Sequence, residues 1–186
     1  RISLFNLLRH SPIVTVGEIQ TITFGEYVSS LAVPTSVNLV KVKPLRGIGM
    51  FVLDAELVFQ LVDRYFGGDG SSEMGEGRDF TPTEARVVQR TVENAFADMT
   101  EAWSKVYELD FEYVGSEMNP ALANIVGSEE MVVVSSFRID MDGTGGEFHF
   151  AVPYSMIEPL RKLLDADTQS ADETEEDWRS AIQART

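Results

Sequence analysis

Residues 47–66 read GIGMFVLDAELVFQLVDRYF and residues 145–164 read GGEFHFAVPYSMIEPLRKLL, and the second lies over the first at a shift of 98 positions, 145 less 47. Both open on glycine, pass through a short apolar strand and continue into a helix whose apolar residues recur on one face. At this shift Val52 meets Phe150, Val58 meets Met156, Phe59 meets Ile157, Val62 meets Leu160 and Phe66 meets Leu164. A strand and helix unit written twice predicts an α/β fold of the α+β kind, with pseudo-two-fold symmetry and a shared central sheet covered by helices.

Outward from the first copy, residues 36–42 (SVNLVKV) alternate like a strand, and Pro44 to Gly47 make a turn. Residues 23–31 predict a short helix; residues 1–11 place Leu4, Leu7 and Leu8 on one helical face, and Pro12 ends that stretch in an extended turn. Asp54 is placed as the N-cap of a helix over 55–66. Residues 71–79 (SSEMGEGRD) are polar and aperiodic and read as a mobile loop.

A long helix follows. Thr81 caps it, Pro82 takes the first helical position and Glu84 completes a capping box. Val88, Val92, Ala95, Phe96, Met99, Trp103 and Val106 then mark one buried face. Beyond it, residues 110–115, 131–141 and 147–152 are strand candidates, the last two joined by the turn DGTGG, and Pro153 opens a helix to about residue 164.

With 186 residues, 44% hydrophobic and 24% charged, the chain has the profile of one globular domain that needs no disulfide or metal. It has no cysteine, as a reducing compartment allows, and its apolar runs are too short to span a bilayer, which predicts a soluble intracellular protein. A formal charge of -15 repels nucleic acid and anionic headgroups. Seven acids and no base in residues 165–177 (DADTQSADETEED) read as a solvated linker, so the domain is placed at 1–164 and the linker at 165–186.

Catalytic and metal patterns are weak. His10 and His149 are the only histidines and have no ligand spacing around them. Asp140, Asp142 and Gly143 lack the later ligands of a calcium loop and read as a turn. No metal or cofactor is expected. The densest local signal is YFGGDG at residues 65–70, where Gly67, Gly68 and Gly70 follow the end of a helix. One glycine satisfies a helix C-cap; the surplus fits a turn that a partner's backbone or side chains must approach closely. A phosphate loop would instead place its glycines before a helix.

YFGGDG, followed by GRDFTPTEARVVQRTV and AVPYSMIEPLRKLL, together with the opening RISLFNLLRHSPIVTVGEI and the segment VPTSVNLVKVKPLRG, closely resembles the middle domain of the FliM family of flagellar motor switch proteins, over about residues 1–164. The resemblance implies a fold similar to the CheC and CheX chemotaxis phosphatases. It also implies a Gly-Gly-x-Gly surface, here Gly67, Gly68, Asp69 and Gly70, that docks the switch protein FliG. Further implied partners are neighbouring FliM subunits in the cytoplasmic ring of the motor, FliN through a C-terminal domain absent from this sequence, and phosphorylated CheY, whose binding peptide is also absent from it. The implied role is a non-enzymatic switch subunit at the cytoplasmic side of the flagellar basal body. The alternative is a CheC-like phosphatase of phosphorylated CheY, a chemistry that resembles a glutamate followed three residues later by an asparagine. No glutamate here has that asparagine: Glu26 leads to Ser29, Glu84 to Val87 and Glu93 to Phe96.

Overall fold

The computed structural model describes residues 12–69 and 77–161. In chain order the elements are strand β1 (Ile13–Thr23), helix α1 (Phe24–Ser30), strands β2 (Ser36–Lys43) and β3 (Gly49–Leu53), helices α2 (Ala55–Tyr65) and α3 (Pro82–Trp103), strand β4 (Asp110–Glu117), a single 3-10 turn (Pro120–Leu122), and strands β5 (Met131–Met141) and β6 (Thr144–Pro153). The six strands form one antiparallel sheet in the order β1-β5-β6-β3-β2-β4. The chain divides into two units, Arg1–Tyr154 and Ser155–Thr186. A helix over 154–161, α4, runs into the second with Met156 and Leu160 on one face.

Side chains alternate across each strand, so the sheet has two apolar faces and each needs a cover. On one face Val37, Met50, Val52, Val132, Val134 and Ala151 pack with Phe24 and Tyr27 of α1. On the other, phenylalanines cross the strands beneath α3: Phe137 stacks on Phe148 with centroids 4.7 Å apart, Phe148 lies 5.0 Å from Phe51, and Phe96 of α3 meets Phe51 edge-on at 5.6 Å. An apolar cavity of about 70 Å³ remains beneath α2 and α3, between Leu57, Leu61, Val92 and Phe148.

The expected symmetry is present, with a corrected register. β3 and β6 meet at the middle of the sheet, flanked symmetrically by β2 and β5 and then by β4 and β1. Across the central ladder Phe51 pairs with Phe150, Met50 with Ala151 and Val52 with His149. A shift of 99, 150 less 51, returns the Phe51 and Phe150 pair to itself and exchanges the other two. It also carries Asp54, the N-cap of α2, onto Pro153, which precedes α4. The shift of 98 read from the sequence is therefore off by one. Paired residues share a face and successive residues alternate, so 98 would set Phe51 against His149 on the opposite face. Leu57 and Leu61, buried at 0% and 1% exposure, thus correspond to Met156 and Leu160, where the sequence overlay places Val58 and Val62.

Three further expectations change. The extended turn after Pro12 is the eleven-residue strand β1, whose ladder with β5 is interrupted by a register shift between Val16 and Ile19. Helix α3 ends at Trp103 and its buried set stops at Phe96; Ala95, Met99 and Trp103 are half-buried and Val106, past the helix, is 61% exposed. The DGTGG turn shortens to Asp142 and Gly143, with φ of 58° and 87°, the left-handed pair of a type I′ hairpin, and the next three residues already belong to β6. The helix expected over 1–11, the acidic linker and most of the loop at 71–79 fall outside the described residues.

Candidate functional site

Helix α2 forms because Asp54 caps it and Leu57, Val58 and Leu61 give it a buried stripe. The Asp54 carboxylate accepts the Leu57 N–H at 2.6 Å and, from β6, the Glu147 N–H at 2.7 Å. Burial raises its pKa against the lowering effect of those two bonds. Gly146 permits this approach, since a Cβ there would lie 2.7 Å from Asp54 Oδ1 and from Leu57 Cβ.

The other end of α2 carries the glycine turn. Gly67 has φ +92°, its N–H donates to Arg64 O at 3.0 Å, and the Gly68 N–H donates to Asp63 O at 2.9 Å. This is a Schellman cap, and it fixes Gly67 by backbone conformation alone, with open space where a Cβ would stand. Gly68 differs: its backbone is ordinary, but an added Cβ would lie 2.1 Å from Asp63 Oδ2, which occupies that space. Asp69 follows, exposed, and Gly70 lies outside the described residues. Phe66 turns its ring outward at 66% exposure and meets Tyr65 edge-on at 5.3 Å. The turn thus presents two exposed glycines beside an exposed aromatic ring.

The helix before the turn, and the segment described again from residue 77, are each anchored by an arginine that the sequence alone does not single out. Arg64, in the last turn of α2 and 6% exposed, donates through Nη2 to Met141 O and to Thr144 Oγ1 at 3.0 Å, and its Nη1 lies 3.7 Å from Asp142 Oδ2. The turn is therefore tied to the tip of the β5–β6 hairpin. Downstream, Arg78 lies over the Phe59 ring at 4.6 Å, Phe59 meets Phe80 at 5.5 Å, and Arg78 donates to both carboxylate oxygens of Glu84 at 2.9 and 2.6 Å. Those bonds chiefly hold the Glu84 carboxyl down to about 2, with the Thr81 N–H and hydroxyl of the capping box adding to them and burial opposing them. A charge on the buried stripe was the available signal for Arg64: it falls at the helical spacing Leu57, Leu61, Arg64.

Among the described residues no cluster of three acids or histidines is placed to hold a metal, and no helix is long and apolar enough to cross a membrane. His149 faces Tyr27, with Nδ1 3.3 Å from the phenol oxygen; burial lowers the imidazole pKa and raises that of Tyr27. This pair lies on the α1 face of the sheet with the apolar cluster.

Residues 1–168 match the family model of the flagellar motor switch protein FliM. FliM of Pseudomonas aeruginosa is 60% identical over 183 residues, which cover 98% of this chain and 57% of that protein. The chain thus spans little more than half the length of such relatives. The crystal structure of the FliM middle domain from Vibrio alginolyticus superposes with a TM-score of 0.78 at 49% identity, covering 88% of this chain and 91% of that one. A chain of the FliG–FliM complex from Helicobacter pylori shares the fold, with a TM-score of 0.78 at 24% identity over 84% of this chain and 86% of that one. By the match of its sequence along nearly its whole length, and with the fold of a FliM middle domain, the chain belongs to the FliM family of flagellar motor switch proteins.

Proposed function

We propose that this chain is the FliG-docking domain of a flagellar motor switch subunit, with Gly67, Gly68, Asp69 and Gly70 as the docking turn. The carrying observation is the exposed turn itself, with open space where a Cβ would stand at Gly67, and with its helix side tied to the β5–β6 hairpin by the buried Arg64. A partner can approach the backbone at Gly67 closely without displacing a side chain, and the polar loop that follows would order on contact. The existence of a FliG–FliM complex in Helicobacter pylori supports the choice of partner.

The domain is residues 1–164, and residues 165–186 are an acidic linker toward a FliN-like domain. It is not an enzyme: the glutamates carry no asparagine three residues on with which to orient an attacking water. It works in the cytoplasmic ring at the basal body beside neighbouring FliM subunits. Phosphorylated CheY, bound mainly elsewhere in the whole protein, biases which of two ring arrangements FliG meets.

Calorimetric titration with the FliG middle domain tests this, comparing the chain with a Gly67→Ala, Gly68→Ala double variant whose folding is checked by its thermal transition. Binding by the first and not by the folded second is expected. Equal binding removes the turn from the docking surface, and substoichiometric dephosphorylation of CheY would overturn the non-enzymatic reading.

A further inference from the structure

The geometry points to Arg64 as the positioning residue of the docking turn, holding it in register with the tip of the β5–β6 hairpin. The assignment deepens the FliG-docking reading and rests on it for its binding consequence. Arg64 acts on the turn twice. Its carbonyl accepts the Gly67 N–H at 3.0 Å, which closes the cap, and its side chain is buried against residues 77 to 80 positions later in the chain, Met141 and Thr144. Asp142, at the hairpin tip, stands 3.7 Å from Nη1.

A buried guanidinium is costly unless it is hydrogen-bonded, and here its bonds are spent on a hairpin tip and not on the body of α2. Asp54 caps the other end, and Leu57, Val58 and Leu61 supply the buried apolar surface. What the Arg64 bonds fix is where the last turn of α2 sits relative to the end of the sheet, and with it Phe66, Gly67 and Gly68. The tight type I′ turn at Asp142 and Gly143 makes the hairpin a firm reference for them.

The test uses the chain with Arg64→Met, Thr144→Val and both substitutions, read by the amide signals of Gly67 and Gly68 in isotope-labelled protein and by the Kd for the FliG middle domain. Thr144→Val removes one acceptor of Arg64, together with the hydroxyl's own bond to Met141 O at 3.0 Å, without touching the glycine turn. It is expected to shift both glycine amides in the direction that Arg64→Met does, and to weaken binding by about three- to tenfold, the range of one displaced hydrogen bond. The double variant should bind no worse than Arg64→Met alone. Unmoved glycine amides in Thr144→Val, unchanged affinity in folded Arg64→Met, or fully additive losses would each overturn the assignment. Should Arg64→Met not fold, Thr144→Val alone carries both readouts. If the parent chain does not bind FliG, the docking reading fails by itself, and the glycine amides still decide whether Arg64 sets the turn.

Discussion

The Asp54 carboxylate receives the main-chain N–H of Glu147 at 2.7 Å across 93 residues of sequence, and the Asp54 N–H returns a bond to Glu147 O at 3.1 Å. One side chain thus caps α2 and joins the two symmetric halves. Asp54→Ala leaves two N–H groups without their acceptor and is expected to cost about 2–3 kcal/mol, above the usual loss for an N-cap alone. Denaturant unfolding measures this, and Asp54→Asn should lose less, since its amide oxygen can still accept one of the two.

The two glycines of the turn should separate by mechanism. Gly67→Ala forces a side chain into φ +92° and is expected to lower stability by about 1–2 kcal/mol, with Gly67→Asn losing less. Gly68→Ala keeps an ordinary backbone conformation but must displace the Asp63 carboxylate, and is expected to lose less than Gly67→Ala. Equal losses at both positions would contradict the Schellman assignment.

Glu84 gives an acid-side signature. Its folded pKa of about 2 lies below the ordinary carboxylate value of 4.5, so its stabilisation is complete above about 4.5 and disappears as pH falls toward 2. Glu84→Gln should cost about 1–3 kcal/mol at neutral pH, with Arg78 half-exposed and the pair partly screened. The gap between parent and variant, followed by urea unfolding from pH 6 down to 2, should close over that window.

His149 acts in a different range and with the opposite origin. Burial lowers its pKa below 6.5, so the unfolded chain takes up a proton that the folded chain resists, and stability falls as pH drops through 6.5. The loss levels off below the folded pKa. In His149→Gln the slope between neutral pH and about pH 5 should flatten, and the parent imidazole, followed by NMR, should titrate below 6.5.

Much of this fold is legible in sequence because its punctuation is local. Thr81, Pro82 and Glu84 form the expected capping box, Asp54 caps α2, and the strand over 131–141 has the predicted ends. The one-residue error in the repeat has a physical source. Apolar residues come in adjacent pairs, Leu57 with Val58 and Leu61 with Val62, so hydrophobicity scores 98 and 99 alike, and only strand parity separates them. β1 escaped because it is an edge strand: Ile13, Val16 and Ile19 are exposed at 62%, 66% and 68%, and the irregularity at Gly17 and Glu18 breaks its alternation. At the candidate site the glycines were visible as composition. Their separate causes, a backbone angle at Gly67 and the Asp63 carboxylate at Gly68, required coordinates, as did the long-range partners of Arg64.

The central ladder has a bearing on how the domain is made. The strands of the β5–β6 hairpin are joined by two residues and β2 follows closely into β3, so each outer pair can zip from a local turn. Phe51 and Phe150 must find each other across almost a hundred residues, so this ladder cannot form until both halves have been synthesised. Until they meet, each half displays an open strand edge at what will become the middle of the sheet, the most adhesive surface a nascent chain can expose. The seam at Phe51 and Phe150 is therefore where a half-made domain is vulnerable to pairing between two copies of the chain, half with foreign half.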